Sequence, residues 1–161
     1  ILKSLINNKY NINPQYYETT SDEFFKLNIK TKYFDCIFID GLHTYEQSLK
    51  DVINSLDRIS EKGVIVLHDC LPPSYEHSHP QWSGDVYKTI IWLKTFRPDL
   101  EVFVLDCDFG VGIVRKRQTK SNSSLNLTEE IIATIGYDQL VENKALYLDI
   151  KPPQYLYTFM K

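Results

Sequence analysis

The chain has 161 residues, 43% of them hydrophobic and 24% charged, and a formal net charge of -3. These totals fit one soluble globular domain with a sizeable core. They argue against nucleic acid as a partner, because such a partner favours a basic face, and against a membrane, because no apolar run is long enough to span one. The three cysteines fit neither a disulfide framework nor a CxxC metal site, and no signal peptide is visible, so we expect a cytoplasmic protein.

The N-terminal third predicts two helices and a strand. A short helix is expected near residues 2–7, although this stretch is rich in polar residues. The capping-box pattern at 20–23 predicts a second helix over about 21–28. The run FDCIFI at 34–39 is apolar apart from one aspartate, which is typical of a central parallel strand buried on both faces.

The middle of the chain continues the alternation of helices and strands. A second capping box and apolar residues at helical spacing predict a helix over 44–58. Residues 61–63 read as a turn and 64–67 as the next strand. The Pro-rich segment 71–83 fits no regular element, and 85–96 reads as an amphipathic helix that ends before a proline.

The C-terminal part predicts a hairpin and a helical tail. Residues 100–105 and 109–114 are apolar strands joined by a short turn, which implies antiparallel pairing. We therefore divide the chain into a partial α/β domain at 1–116, a linker or mobile loop at 117–127, and a helical tail at 128–161. Within the tail we expect short helices at 128–134, 137–148 and 153–160.

Acidic residues and histidines follow the first two strands. Asp40 closes the first strand and Asp69 the second, with His43 on the loop after Asp40 and His68 directly before Asp69. Ligands of parallel sheets bind at the carboxyl ends of the strands, and strands joined by a helix are often neighbours. If these two are neighbours, two carboxylates and two imidazoles share one crevice. The alternative interpretation is that the two aspartates only cap turns and do not form a binding or catalytic site.

A cluster of carboxylates and imidazoles also suits a divalent metal ion. Carboxylate oxygen favours Mg²⁺, Ca²⁺ or Mn²⁺, and added imidazole shifts the preference toward Mn²⁺, Fe²⁺ or Zn²⁺. A metal-dependent hydrolase built on Asp40, Asp69 and the histidines is therefore one open interpretation. A Ser-His-Asp hydrolase is disfavoured, because the sequence has no Gly-x-Ser-x-Gly motif.

Four motifs, in this order, carry a family resemblance: TSDEFF, FDCIFIDGLHTYEQSLKDV, GVIVLHDC and FGVGIVRK. Over about residues 16–116 the chain resembles the C-terminal portion of a class I S-adenosylmethionine-dependent methyltransferase, most closely a bacterial group of small-molecule or sugar O-methyltransferases. The resemblance implies a Rossmann-like three-layer α/β sandwich, with a mostly parallel sheet and a reversed last strand. It also implies methyl transfer to a hydroxyl of a small-molecule or sugar acceptor.

The resemblance assigns roles to particular residues. Thr20, Ser21 and Asp22 would lie near the cofactor adenine, and Asp40 with Gly41 would border the methyl group. Relatives hold a divalent ion with a carboxylate at the position of Asp40 and an acidic pair after the next strand.

The second of these positions reads His68-Asp69 here, which makes Asp40, Asp69 and His68 the candidate metal ligands. Catalysis would then fall to Asp40, Asp69 and His43, with His43 as general base.

The family's glycine-rich cofactor loop has no counterpart in this sequence. The first glycine is Gly41, so we expect the N-terminal part of the fold to be missing. One alternative is therefore a non-catalytic fragment or interaction module on the same fold. An incomplete sheet would expose an edge strand, which favours a homo-oligomer.

Overall fold

The computed structural model describes residues 15–27, 33–116 and 125–159. Residues 15–27 belong to one compact unit of the chain, and the other described residues belong to a second unit. The helix expected near residues 2–7 lies outside the described residues.

The described part of the first unit contains helix α1, Ser21–Lys26. The hydroxyl oxygen of Thr20 accepts a hydrogen bond from the backbone N–H of Glu23 at 3.2 Å. This bond occupies one N–H that the first helical turn leaves without a partner. The structure therefore confirms the predicted helix start.

The second unit is built on one sheet. Its strands are β1 (Phe34–Ile39), β2 (Ile59–Leu67), β3 (Leu100–Leu105), β4 (Val111–Lys116) and β5 (Ile150–Lys151). Their spatial order is β1-β2-β4-β3-β5. The pairs β1–β2 and β3–β5 are parallel, whereas β4 runs antiparallel to both of its neighbours. The described sheet is thus mixed and open, and its β3–β4 hairpin confirms the predicted reversed strand.

The bounds of two strands differ from the prediction, since β2 begins earlier and β4 spans Val111–Lys116 rather than 109–114. β2 begins at Ile59, because the expected turn at 61–63 is an irregularity within the strand, where the register to β1 shifts. A Cβ on Gly63 would lie 2.6 Å from a carbon of Ile59, so only glycine fits that close approach. β4 begins at Val111 because Asp108 and Phe109 have φ angles of 44° and 59° and form the turn. The two-residue strand β5 was not predicted.

The helices of the second unit follow the predicted positions closely. They are α2 (Tyr45–Leu56), α3 (Tyr87–Phe96), α4 (Glu129–Thr134), α5 (Tyr137–Leu148) and α6 (Tyr155–Phe159). The capping prediction for α2 is wrong, because the side chain of Thr44 makes no capping bond. The Asp85 carboxylate takes that role and accepts from the N–H of Tyr45 at 2.7 Å.

Both faces of the sheet are covered by helices. Val102 and Val104 of β3 point into the larger core, which also contains buried residues of α2, α3, α4 and α5. Phe103 and Leu105 alternate with them and point to the other face, where the ring of Phe159 in α6 packs 5.0 Å from that of Phe103. This arrangement is the predicted three-layer sandwich.

The prediction of burial on both faces is wrong for β1. It is an edge strand of the described sheet, and the side chain of Phe38 is 60% exposed. In the part of the chain that the structure describes, no helix is both long and apolar enough to cross a membrane.

Candidate active site

The parallel pairing of β1 and β2 brings the two acidic strand ends together. Ile39 is in register with Leu67, and the N–H of His68 donates to the carbonyl of Ile39 at 3.0 Å. Asp40 and Asp69 therefore emerge side by side at the carboxyl edge of the sheet. This is the edge at which α/β sheets bind ligands.

Asp40, His43 and Asp69 form a compact cluster. His43 Nε2 lies 3.2 Å from an oxygen of Asp69 and 3.7 Å from an oxygen of Asp40. One possible ligand atom from each residue lies within 4.8 Å of the other two. Asp69 is buried and Asp40 is exposed, so the cluster opens to solvent on one side.

The hydrogen bond of the other ring nitrogen fixes the tautomer of His43. Nδ1 lies at hydrogen-bond distance from the backbone carbonyl of Trp82. A carbonyl oxygen can only accept, so Nδ1 carries the hydrogen and Nε2 turns toward the two carboxylates. Nε2 is therefore the ring nitrogen that is available to a proton or a metal cation at the cluster.

Residues 82–85, called the brace below, contact the cluster and the loop that carries His43. The hydroxyl of Ser83 donates to Asp69 at 2.8 Å, and both side chains are buried. Gly84 has a φ of 59°, and a Cβ there would lie 1.8 Å from the carbonyl oxygen of His43. Together with the Trp82 carbonyl and the Asp85 cap on α2, this segment holds the loop that carries His43.

His68 connects the cluster to the turn between β3 and β4. Its Nδ1 lies 3.0 Å from Asp69 and 3.5 Å from Asp40, and its Nε2 lies 3.4 Å from Asp108. Burial lowers the pKa of His68, but the surrounding carboxylates outweigh this effect and leave the pKa above its ordinary value. The carboxylates therefore favour the charged form of His68, which would offset part of the negative charge at this edge.

Asp69 has an unusual backbone conformation for this position. Its φ is 64°, in the left-handed region that few residues other than glycine adopt. Such strain persists only where the surroundings impose it, and it clusters at functional sites. Here the surroundings include the bonds of Asp69 to Ser83 and His68.

The residues proposed from the sequence fall into two groups. Asp40, Gly41, His43, His68 and Asp69 lie together at the sheet edge of the second unit.

Thr20, Ser21 and Asp22 lie at the start of α1 in the first unit, where the hydroxyl of Thr20 caps the helix. Their predicted role in cofactor binding stays a prediction.

The sequence alone does not reveal the contributions of Trp82, Ser83 and Asp85 to the site. The dipeptide Ser83-Gly84 ahead of a helix is a turn signal, but it does not reveal which distant residues the turn contacts. Trp82 contacts His43 through its backbone carbonyl, so the type of side chain at position 82 does not reveal this contact.

Comparison with known proteins gives a family match and several structural likenesses. Residues 3–70 match the family model described as a methyltransferase domain. No curated protein matches the sequence. The fold is similar to the crystal structure of the Podospora anserina methyltransferase PaMTH1 bound to S-adenosylhomocysteine, with a TM-score of 0.53 and 20% identity.

The structural likeness covers 71% of this chain and 55% of PaMTH1, so this chain spans about half the length of that protein. The family-model match agrees with the resemblance to methyltransferases that the sequence motifs carry, and the structural likeness shows that the fold is shared.

Proposed function

We propose that this chain forms part of an S-adenosylmethionine-dependent methyltransferase that methylates a hydroxyl group of a small molecule. The observation that carries the proposal is the cluster of Asp40, His43 and Asp69 at the carboxyl edge of a sheet with the methyltransferase fold. Transfer to oxygen requires alignment of the acceptor hydroxyl and removal of its proton. The cluster offers groups for both tasks.

The end of β1 leaves room for a cofactor. Asp40 is exposed, and among the described residues the nearest neighbour that a Cβ on Gly41 would meet is an oxygen of Asp51 at 3.9 Å. The backbone at Gly41 is therefore open to close approach by a ligand. Bound S-adenosylmethionine supplies an electrophilic methyl group on its sulfonium sulfur. The bound S-adenosylhomocysteine of PaMTH1 supports this choice of cofactor.

The donor set also fits a divalent ion. Metal-bound histidines usually donate their other ring N–H to a carbonyl or carboxylate, as His43 does to Trp82. Two carboxylates and one imidazole suit Mn²⁺, Fe²⁺ or Zn²⁺. Such an ion, held by Asp40, His43 and Asp69, would lower the pKa of an acceptor hydroxyl.

His43 has two candidate roles that exclude each other. Nδ1 is engaged by the Trp82 carbonyl, so only Nε2 can bind an ion or accept a proton. Without an ion, Nε2 is placed to take the hydroxyl proton, and Asp69 at 3.2 Å would stabilise the resulting imidazolium. Chelation separates the two roles, because a chelator abolishes activity only where an ion is needed.

The test is methyl transfer by the full-length protein. The protein is incubated with S-adenosylmethionine labelled in its methyl group and a panel of hydroxyl-bearing small molecules, with and without EDTA. We expect labelled product, and a loss of about 10²-fold or more in the His43→Gln variant. His79→Gln is the matched control, since the His79 ring packs on Tyr75 outside the cluster. Absence of product, or equal rates in both variants, would contradict the proposal.

A further inference from the structure

A cavity of about 430 Å³ lies beside the cluster and has no assigned role. Its walls are the start of the loop after β2, the turn between β3 and β4, and one face of α5. This volume falls in the usual range for small-molecule sites. The face of α5 lies outside residues 3–70, so the match to the methyltransferase-domain model does not extend to that wall.

The cavity adjoins the candidate active site at Asp108. This residue lines the cavity, and its carboxylate lies 3.4 Å from Nε2 of His68. The other nitrogen of His68 lies 3.0 Å from Asp69. The ring of Phe109, also in the lining, lies 6.5 Å from the His68 ring. The side chains of Asp108 and His68 thus link the cavity to Asp69, one of the groups proposed for catalysis.

The wall formed by the turn is held in place. Backbone N–H groups of Cys70 and Leu71 donate to carbonyls of Gly110 and Phe109 at 2.9 and 2.7 Å. A Cβ on Gly110 would lie 2.3 Å from that of Leu71, so the two loops touch backbone to backbone. The left-handed conformations of Asp108 and Phe109 show that the surroundings impose the shape of this turn.

The lining indicates the chemistry of the ligand. Asp106 and Asp108 offer carboxylate acceptors, and Lys144 offers one ammonium donor. The rings of Phe109 and Tyr137 provide apolar faces. The two carboxylates against one ammonium in the lining leave no excess of positive charge to attract an anion. Several polar groups around flat apolar surfaces suit a neutral ring that carries several hydroxyl groups.

We propose that this cavity binds the methyl acceptor, and that the acceptor is an uncharged, polyhydroxylated ring compound rather than a phosphorylated or carboxylated one. The identification of the ligand as the acceptor rests on the proposed methyl transfer. The binding preference itself can be measured without the cofactor.

Saturation-transfer NMR on the full-length protein tests the preference. The probes are myo-inositol and methyl α-glucoside as neutral polyols, glucose 6-phosphate as the anion, and catechol as a ring with few hydroxyls. We expect signals from the polyols, and weaker signals from the phosphate and from catechol. Absent polyol signals, or stronger signals from glucose 6-phosphate or catechol, would overturn the proposal.

Variants of α5 locate the binding site. Val141 lines the cavity and is 46% exposed, so Val141→Trp should fill the cavity and weaken polyol binding about tenfold or more. Leu146→Trp is the matched control, because Leu146 is an exposed apolar residue of the same helix outside the lining. Equal binding by the two variants would overturn the proposal.

Asp108→Asn is a second test of the site, because it removes the carboxylate charge and leaves the side-chain size nearly unchanged. This variant should fold normally and bind polyols more weakly. Unchanged polyol binding in this variant would also count against the cavity. Titration of S-adenosylhomocysteine separates the two proposals. Cofactor binding without polyol binding refutes only the acceptor site, whereas polyol binding without cofactor binding refutes only the methyl transfer.

Discussion

Ser83→Ala is the most informative single substitution in the brace around the cluster. The Ser83 hydroxyl donates to the Asp69 carboxylate at 2.8 Å, and the two residues are 1% and 5% exposed. A hydrogen bond to a charged, buried group contributes about 1.5–3 kcal/mol, and water cannot readily replace it at such a site. We therefore expect the free energy of unfolding to fall by about 2 kcal/mol.

The same change should loosen the orientation of Asp69. Residues that hydrogen-bond to metal ligands typically contribute about 10- to 100-fold to metal affinity. Affinity for Mn²⁺, measured by calorimetry, should fall by a factor in that range. Stability is measured by urea unfolding of the same preparation, so that folding and binding are separated.

Ser78→Ala is the control for this experiment. The Ser78 hydroxyl donates to the carbonyl of Tyr75 at an exposed position, so we expect its loss to cost less than about 0.5 kcal/mol. If Ser83→Ala and Ser78→Ala reduce stability equally, the reasoning about the buried bond is refuted. Unchanged Mn²⁺ affinity in Ser83→Ala would refute the orienting role.

Three further predictions concern the brace, the cluster and a buried tyrosine. Gly84→Ala should destabilise the fold by several kcal/mol or prevent folding, because its Cβ would overlap the His43 carbonyl. Gly136→Ala is the control and should cost less than about 1 kcal/mol, because a Cβ there would lie 4.0 Å from its nearest neighbour. Both values are measured by urea unfolding. Asp40→Asn should weaken Mn²⁺ binding about tenfold or more by calorimetry, whereas Asp35→Asn, outside the cluster, should not. Burial raises the pKa of Tyr87 from 10.0 to about 12, so stability should fall as pH rises through this window, in which only the unfolded form loses the proton. Tyr87→Phe should flatten that decline in urea unfolding, and an equally steep decline in the variant would count against this assignment.

Much of the fold could be predicted because its signals are local. The apolar runs that form β1 and β3 mark those strands within their observed bounds, and periodic apolar residues mark α2 and α3. The adjacency of Asp40 and Asp69 follows from one further step, since strands joined by a helix usually pair in parallel.

The parts that the sequence did not predict depend on contacts between distant residues. The irregularity at Gly63 depends on the close approach of Ile59 in the folded strand. The cap of α2 comes from Asp85, which lies forty residues along the chain from Tyr45, so the local Thr44 pattern predicted the wrong hydrogen-bond acceptor. The Ser83 bond to Asp69 likewise requires the folded position of an irregular loop.

Cofactor binding tests the central claim most directly. S-adenosylhomocysteine is titrated calorimetrically into the full-length protein and into its Asp40→Asn and Asp35→Asn variants. We expect binding by the wild type and by Asp35→Asn, with affinity about tenfold or more weaker in Asp40→Asn. Absence of binding by the wild type, or equal affinity in both variants, would contradict the claim that this sheet edge is a methyltransferase active site.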